Sequence, residues 1–169
     1  IPREVYLGAD GHVDMRVLHE LKRLQKTVVT AAIEATCPFR GFQGNQFTIE
    51  ANMLISPAGS VRFQVLKSDD GLEHTDVTIS GDGLLTIDRT SSSLHQHTHH
   101  TKISRKLNGF SGTVQLEIYV DHSILEVCVN GEWVSTQVYP SLTDSLGVET
   151  DVVEGKGRFT ISTMKEIRR

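Results

Sequence analysis

The sequence predicts an all-β chain folded as an antiparallel two-sheet β-sandwich of jelly-roll or lectin-like form. Three observations carry that expectation. Segments alternate apolar and polar residues, turn clusters separate them roughly every eight to twelve residues, and an Asn-Gly pair sits between two of the segments. Period-two alternation puts one set of side chains on a buried face and the other in water, which suits a strand and not a helix.

The elements follow in order. Leu18, Leu21 and Leu24 have helical spacing, but two turns are marginal alone, so Leu18 to Leu24 is expected as a short helix or turn packed on the sandwich. Phe47 to Ile55 alternates and stops at Ser56-Pro57-Ala58-Gly59, a turn cluster. Val61 to Leu66 alternates again and ends at Asp69-Asp70-Gly71. Thr75 to Ile79 and Leu84 to Ile87 are separated by Gly81-Asp82-Gly83. Val114 to Val120 runs to a polar break at Asp121-His122-Ser123, and Ile124 to Val129 then runs to Asn130-Gly131. Asn-Gly is the preferred type I′ hairpin turn, because both central residues need positive φ. Trp133 to Tyr139 is the return strand, closed by Pro140, and Arg158 to Ser162 is the last strand. With no internal repeat or low-complexity linker, residues 1–169 are expected to form one β-sandwich domain.

Composition narrows the function. Hydrophobic content of 38% and charged content of 22% are those of a globular chain. A net charge of -4 and a pI near 6.1 argue against a nucleic-acid footprint or a basic membrane patch. The longest apolar run, Val28 to Ile33, is far short of a membrane span and is interrupted by Thr30. The opening Ile1-Pro2-Arg3-Glu4 has neither an initiator Met nor a signal segment and reads as a cut edge. Cys37 and Cys128 are too few for a disulfide framework. Cys128 lies in an apolar strand pattern as a small buried hydrophobe, and a bridge to Cys37 stays open. Asn-x-Ser/Thr sequons are absent, which disfavours a heavily glycosylated secreted domain.

Four groups of residues invite a chemical reading. Asp121 and Glu126 flank a turn and bear on the pair of carboxyl groups that glycosidases place about 5–9.5 Å apart. A structural role suits them better: Asp121 can cap its own turn, and Glu126 lies opposite the apolar Leu125, Val127 and Val129 face. His95, His97 and His99 would project to one face of an extended backbone, as zinc, copper or nickel ligands would. A solvated loop that takes up metal only adventitiously is the favoured alternative. Trp133 is either a sugar-stacking platform or a core side chain, and burial is favoured. Asp88 and Arg89 form a local ion pair or turn anchor. No Ser-His-Asp order, phosphate-cradling Gly loop or Cys-x-x-Cys pair is present, and no cofactor is expected.

Three stretches taken together resemble the C-terminal module of glycoside hydrolase family 32, the invertase, inulinase and levanase type of β-fructosidase. Residues 1–7, Ile-Pro-Arg-Glu-Val-Tyr-Leu, resemble the segment leading out of the family's catalytic domain. Leu85-Thr86-Ile87-Asp88-Arg89-Thr90 resembles its central strand and turn. The most specific stretch runs from Leu116 through Asp121, Ser123, Glu126 and Cys128 to Asn130-Gly131, and Val138-Tyr139-Pro140 completes it.

The resemblance implies a sandwich attached to a five-bladed catalytic β-propeller. The family's catalytic residues lie in that propeller, in Asn-Asp-Pro-Asn, Arg-Asp-Pro and Glu-Cys motifs, and none of the three occurs here. Asp88, Arg89, Asp121, Ser123, Glu126, Asn130 and Gly131 therefore inherit a structural role only. Cys128 departs from the aromatic often found at its position, and the His-rich stretch matches nothing in the family pattern. The expected function is architectural: to support the propeller of a sucrose-, inulin- or levan-cleaving enzyme, with contacts to a second copy as a further role. The alternative is a free-standing carbohydrate-binding module. The expected partner is the catalytic propeller, carbohydrate and self-association stay open, and neither nucleic acid nor membrane is expected. The family tilts the compartment toward secretion and leaves the cytoplasm open.

Overall fold

The computed structural model of the chain describes residues 1–9, 11, 13–33, 39 and 41–164. Among the described residues, eleven strands and one four-residue helix make up the regular structure. Strands β1 (Arg3–Leu7) and β2 (Val13–Val17) form a hairpin of their own. Helix α1 (His19–Lys22) follows, then β3 (Gln25–Ile33), β4 (Gln46–Lys67), β5 (Thr75–Ser80), β6 (Leu84–Asp88), β7 (Lys102–Lys106), β8 (Thr113–Asp121), β9 (Ile124–Val129), β10 (Glu132–Gln137) and β11 (Gly147–Met164). Leu18, Leu21 and Leu24 are half-buried while His19, Glu20, Lys22 and Arg23 are exposed, so the leucine spacing marks the inner side of a single helical turn.

Every pairing is antiparallel, and β4 and β11 run alongside each other through the whole sandwich. The first half of β4 pairs with β8, β8 with β9, and β9 with β10. The second half of β4 pairs with β5, followed by β6 and β7. Strand β3 adds to the C-terminal half of β11. One layer is therefore β10-β9-β8-β4-β11-β3 and the other is β11-β4-β5-β6-β7, with the long ribbon common to both.

Ser56-Pro57-Ala58-Gly59 is thus not the chain-reversing turn that its composition suggested; it is the bend that carries β4 from one layer into the other. Buried side chains keep the same parity across it, from Phe47, Ile49, Ala51, Met53 and Ile55 to Val61, Phe63 and Val65. Strand β11 does not keep parity: Phe159 and Ile161 are buried beyond the bend, but Val148 and Thr150 before it. Glu154 supplies the extra residue. Its φ of 48° and the register break between Val153 and Gly155 mark a β-bulge that restores the inward face. The bend is tight enough that a Cβ on Gly81 would lie 1.9 Å from the Ser56 carbonyl oxygen.

The inner faces supply one core. Val114, Leu116, Ile118, Leu125, Val127 and Val129 from one layer pack with Val77, Ile79, Leu85 and Ile87 from the other. At the far edge, Glu132 of β10 accepts from Arg105 of β7 at 2.8 Å and from the Asn108 amide at 2.6 Å, and Arg89 reaches the Gln137 carbonyl at 3.2 Å. These contacts tie the two outer strands together.

A second tie is a carboxylate. Glu73 is fully buried and accepts from the Ser141 and Leu142 amides at 2.9 Å, the Ser145 hydroxyl at 2.6 Å, the Leu94 amide at 2.8 Å and the Ser141 hydroxyl. Burial alone would push its pKa up. The hydrogen bonds from Ser141, Ser145 and the loop amides outweigh that and hold it at about 2, below its ordinary 4.5.

Leu125→Ala removes a fully buried side chain and should cost about 2–4 kcal/mol in urea unfolding, whereas Gln137→Ala on the exposed side of β10 should stay within about 0.5 kcal/mol. A larger cost at Gln137 than at Leu125 would mean that the strand faces are reversed. Because the Glu73 pKa is depressed on folding, its contribution is complete above pH 4.5 and is lost as pH falls toward 2. Glu73→Gln should therefore destabilise the chain about twofold more at pH 7 than at pH 3, measured as the difference in unfolding free energy from wild type at each pH.

Candidate docking surface

The outer face of the β8-β9-β10 layer is polar, and cross-strand pairing brings its residues together. Tyr119 opposes Glu126, which opposes Ser135; Glu117 opposes Cys128, which opposes Trp133. Glu126 lies opposite the Leu125, Val127 and Val129 face, yet it is buried because the N-terminal strand lies over it. Arg3 donates to Glu126 Oε1 at 3.1 Å and to the Ser135 hydroxyl at 3.3 Å, and the Ile1 amino group reaches the same Oε1 at 3.1 Å. The Arg3 guanidinium also stands 4.4 Å from the Trp133 ring centroid, with Tyr119 stacked at 6.1 Å from the same ring. The Tyr119 hydroxyl donates to Glu117 at 2.5 Å, and burial followed by that carboxylate drives its pKa far up.

This cluster fixes how the β1–β2 hairpin leaves the sandwich. Register pairs Arg3 with Val17, Val5 with Met15 and Leu7 with Val13, so these six side chains share one face. Arg3 anchors that face at its root. Farther out, Val5 is 65% exposed, Leu7 72%, Val13 70% and Met15 45%. The opposite face is self-sufficient: Arg16 pairs with Glu4 at 2.6 Å and lies 5.0 Å from the Tyr6 ring centroid. A two-stranded ribbon is marginal on its own in water, and four bare apolar side chains on one side make it a surface that gains by being covered.

The residues singled out from the sequence fall into separate places. Asp121 is exposed at the end of β8, where it accepts from the Gln46 amide at 2.9 Å and lies 3.0 Å from His122 Nδ1. The Gln46 side chain and His122 of the adjoining turn thus take its carboxylate, and the Gln46 hydrogen bond and then His122 hold its pKa below the usual carboxylate range against some burial. With Glu126 buried under Arg3, the two carboxylates do not share an open cleft. Ser123 contributes its carbonyl to the Val138 amide at 2.9 Å. Asn130 and Gly131 turn with φ of 51° and 86°, and the Asn130 side chain bridges the Gln115 amide and the Thr113 carbonyl.

Asp88 pairs with Lys102 at 2.8 Å and accepts from the Thr90 amide at 3.0 Å, so it anchors a turn and is not ion-paired with Arg89. Trp133 is half-buried on the outer face against Arg3 and Tyr119 and does not belong to the core. His95, His97 and His99 do not converge, because the segment is a turn-rich loop and not an extended strand. In that loop His100 is held by the Thr90 and His95 carbonyls at 3.2 and 2.9 Å. Among the described residues no three His, Cys, Asp or Glu side chains are grouped to hold a metal ion. Cys128 is a buried free thiol, its pKa raised to about 11 by burial and then by Glu117, and Cys37 lies outside the described residues. No helix of the described residues is long and apolar enough to cross a membrane.

The hairpin itself was half visible. Residues 1–7 stood out only through the family resemblance, and β2 was overlooked although Val13-Asp14-Met15-Arg16-Val17 alternates and follows Asp10-Gly11, a hairpin turn pair.

Comparison with known proteins places this architecture. The chain matches the exo-inulinase of Aspergillus awamori at a TM-score of 0.77 and 21% identity, covering 98% of this chain and 35% of that one. It matches the sucrose-6-phosphate hydrolase of Lactobacillus gasseri at 0.75 and 18%, covering 98% and 33%. A third match is the fructan 1-exohydrolase IIa of Cichorium intybus at 0.72 and 12%, covering 98% and 40%. The chain thus spans between a third and two fifths of the length of these enzymes. No curated protein sequence matches it. The family described as glycosyl hydrolases family 32 C terminal matches residues 16–166. With that pattern over most of its length and the sandwich to go with it, the chain belongs to the C-terminal domain family of the family 32 glycosyl hydrolases.

Proposed function

We propose that the chain is the non-catalytic β-sandwich of a β-fructoside-cleaving glycoside hydrolase and that it supports a catalytic β-propeller through its N-terminal hairpin. The observation that carries this reading is the anchored hairpin with a bare apolar face, Val5, Leu7, Val13 and Met15. Inter-domain contacts typically bury about 600–1,500 Å², and four such side chains are a fitting nucleus for one. The solved enzymes that resemble the chain, an exo-inulinase, a sucrose-6-phosphate hydrolase and a fructan exohydrolase, are all two to three times its length, which leaves room for a catalytic domain in the parent. The absence of the Asn-Asp-Pro-Asn, Arg-Asp-Pro and Glu-Cys motifs supports a non-catalytic role for these 169 residues.

Sedimentation with and without the cognate propeller tests the docking. The chain should bind the propeller, or self-associate in its absence. The Val5→Ser/Leu7→Ser variant should weaken either association by about tenfold or more per side chain, the value of one buried Val or Leu. A chain that stays monomeric at high concentration and ignores the propeller overturns the reading. The chain alone should release no fructose from sucrose, inulin or levan. Turnover abolished by changing Asp121 or Glu126 would instead make it an enzyme in its own right.

A further inference from the structure

At one end of the sandwich, the β8–β9 turn, the segment after β10 and Asn45 enclose a cleft of about 390 Å³. That volume falls within the usual range for small-ligand sites, about 300–1,000 Å³. Leu66 and Val138 are buried in its floor, and Leu142 and Leu146 are half-buried beside them. Tyr139 stands at its mouth with 42% of its surface exposed. Polar groups ring it: Asn45, His122, Ser123, Ser141 and Thr143. No lysine, arginine, aspartate or glutamate lines it.

Both walls are fixed before any ligand arrives. Glu73 holds one of them from behind, through the amides and hydroxyls of Ser141, Leu142 and Ser145. On the other side, His122 adopts a φ of 54°, its amide donates to the Asn45 carbonyl at 2.7 Å, and the Val138 amide donates to Ser123 at 2.9 Å. Tyr139 therefore sits on a backbone that is hydrogen-bonded immediately before it and pinned by a buried carboxylate immediately after it. A preformed site spares the ligand much of the ordering cost of binding.

The chemistry of the lining selects the ligand. An exposed phenol ring offers a flat apolar face to the C–H side of a sugar ring, and the amide, hydroxyl and imidazole groups can give and accept hydrogen bonds with sugar hydroxyls. These walls hold no ammonium, guanidinium or carboxylate to pair with a charged ligand. We propose that this cleft is a binding subsite for a neutral sugar, with Tyr139 as the stacking platform and Asn45, His122, Ser123 and Thr143 as its hydrogen-bonding rim. This rests on the cleft and not on the hairpin, so it stands or falls separately from the docking reading.

Amide chemical-shift mapping on the intact chain, with 1-kestose as the neutral probe and fructose 6-phosphate as the charged one, tests the proposal. Saturable shifts confined to residues 121–123 and 138–146 are expected with 1-kestose, and weaker or no shifts with the phosphorylated sugar. Tyr139→Ala should weaken 1-kestose binding about fivefold to tenfold, the worth of one stacking contact, while Tyr139→Phe retains it. Thr143→Ala, at an exposed rim position, gives a second reading should Tyr139→Ala unfold. No saturable shift with 1-kestose, shifts centred elsewhere, or equal or tighter binding of fructose 6-phosphate would each overturn the proposal.

Discussion

Strands β4 and β11 are paired along almost their whole length and belong to both layers, so the shape of the sandwich is set by how this one ribbon bends. Strands β8 and β5 attach to different halves of β4, and the layers face each other only because the ribbon turns between those halves. The two strands meet the bend differently. β4 has to pass four residues, Ser56 to Gly59, across the place where β11 passes one, Glu154. Those four residues leave the inward parity of β4 unchanged, while the single bulged residue shifts that of β11, and the outcome is one continuous apolar surface on the inside. A residue added or lost at either point would turn half a strand inside out. Glycine is demanded where a third segment crosses the bend, since Gly81 donates to the Gly59 carbonyl with no room for a side chain.

Two buried carboxylates hold what the core does not reach. Glu73 is the fully satisfied case: its oxygens are saturated by amides and hydroxyls of a loop that has no regular structure, so the loop is as firmly placed as a strand. Glu126 is less complete. Arg3 donates to one of its oxygens, while the other has no hydrogen-bond partner in the structure, and Trp133 Nε1 is likewise without one. A buried charge tolerates this only when a cation stays close. The arrangement ties the placement of the hairpin to a single guanidinium, which serves as ion-pair partner of Glu126, hydrogen-bond donor to Ser135 and cation over Trp133 at once.

The two surfaces assigned a role differ in chemistry. The hairpin offers unbranched and branched aliphatic side chains with no polar group among them, which suits a protein partner and gives a sugar nothing to hydrogen-bond. The cleft at Tyr139 offers hydroxyls, an amide, an imidazole and a phenol ring around a small apolar floor, which suits a small polar ligand and is too confined for a protein surface. A supporting module and a sugar-binding module, alternatives at the level of sequence, occupy different places and can coexist in one chain.

The sequence by itself determined the strand class, most strand positions and the family. Alternation such as Leu125-Val127-Val129 states which face is inside without reference to any partner, and Asn130-Gly131 dictates a local turn through backbone sterics alone. It was also enough to show that the family's catalytic motifs are missing. Strand β7 escaped notice because Lys102-Ile103-Ser104-Arg105-Lys106 is an edge strand that reads as charged and polar. Tertiary structure alone decided whatever depends on residues far apart in the chain. Ser56 to Gly59 looks like a reversal until β11 is seen alongside it; Trp133 reads as a core side chain until Arg3 and Tyr119 are found around it on the outer face; Glu73 is an ordinary acid until Ser141 and Ser145, about seventy residues on, surround it. Periodicity and turn chemistry are local and can be read from neighbours, whereas burial, charge pairing and the walls of a cleft are created only when distant segments meet.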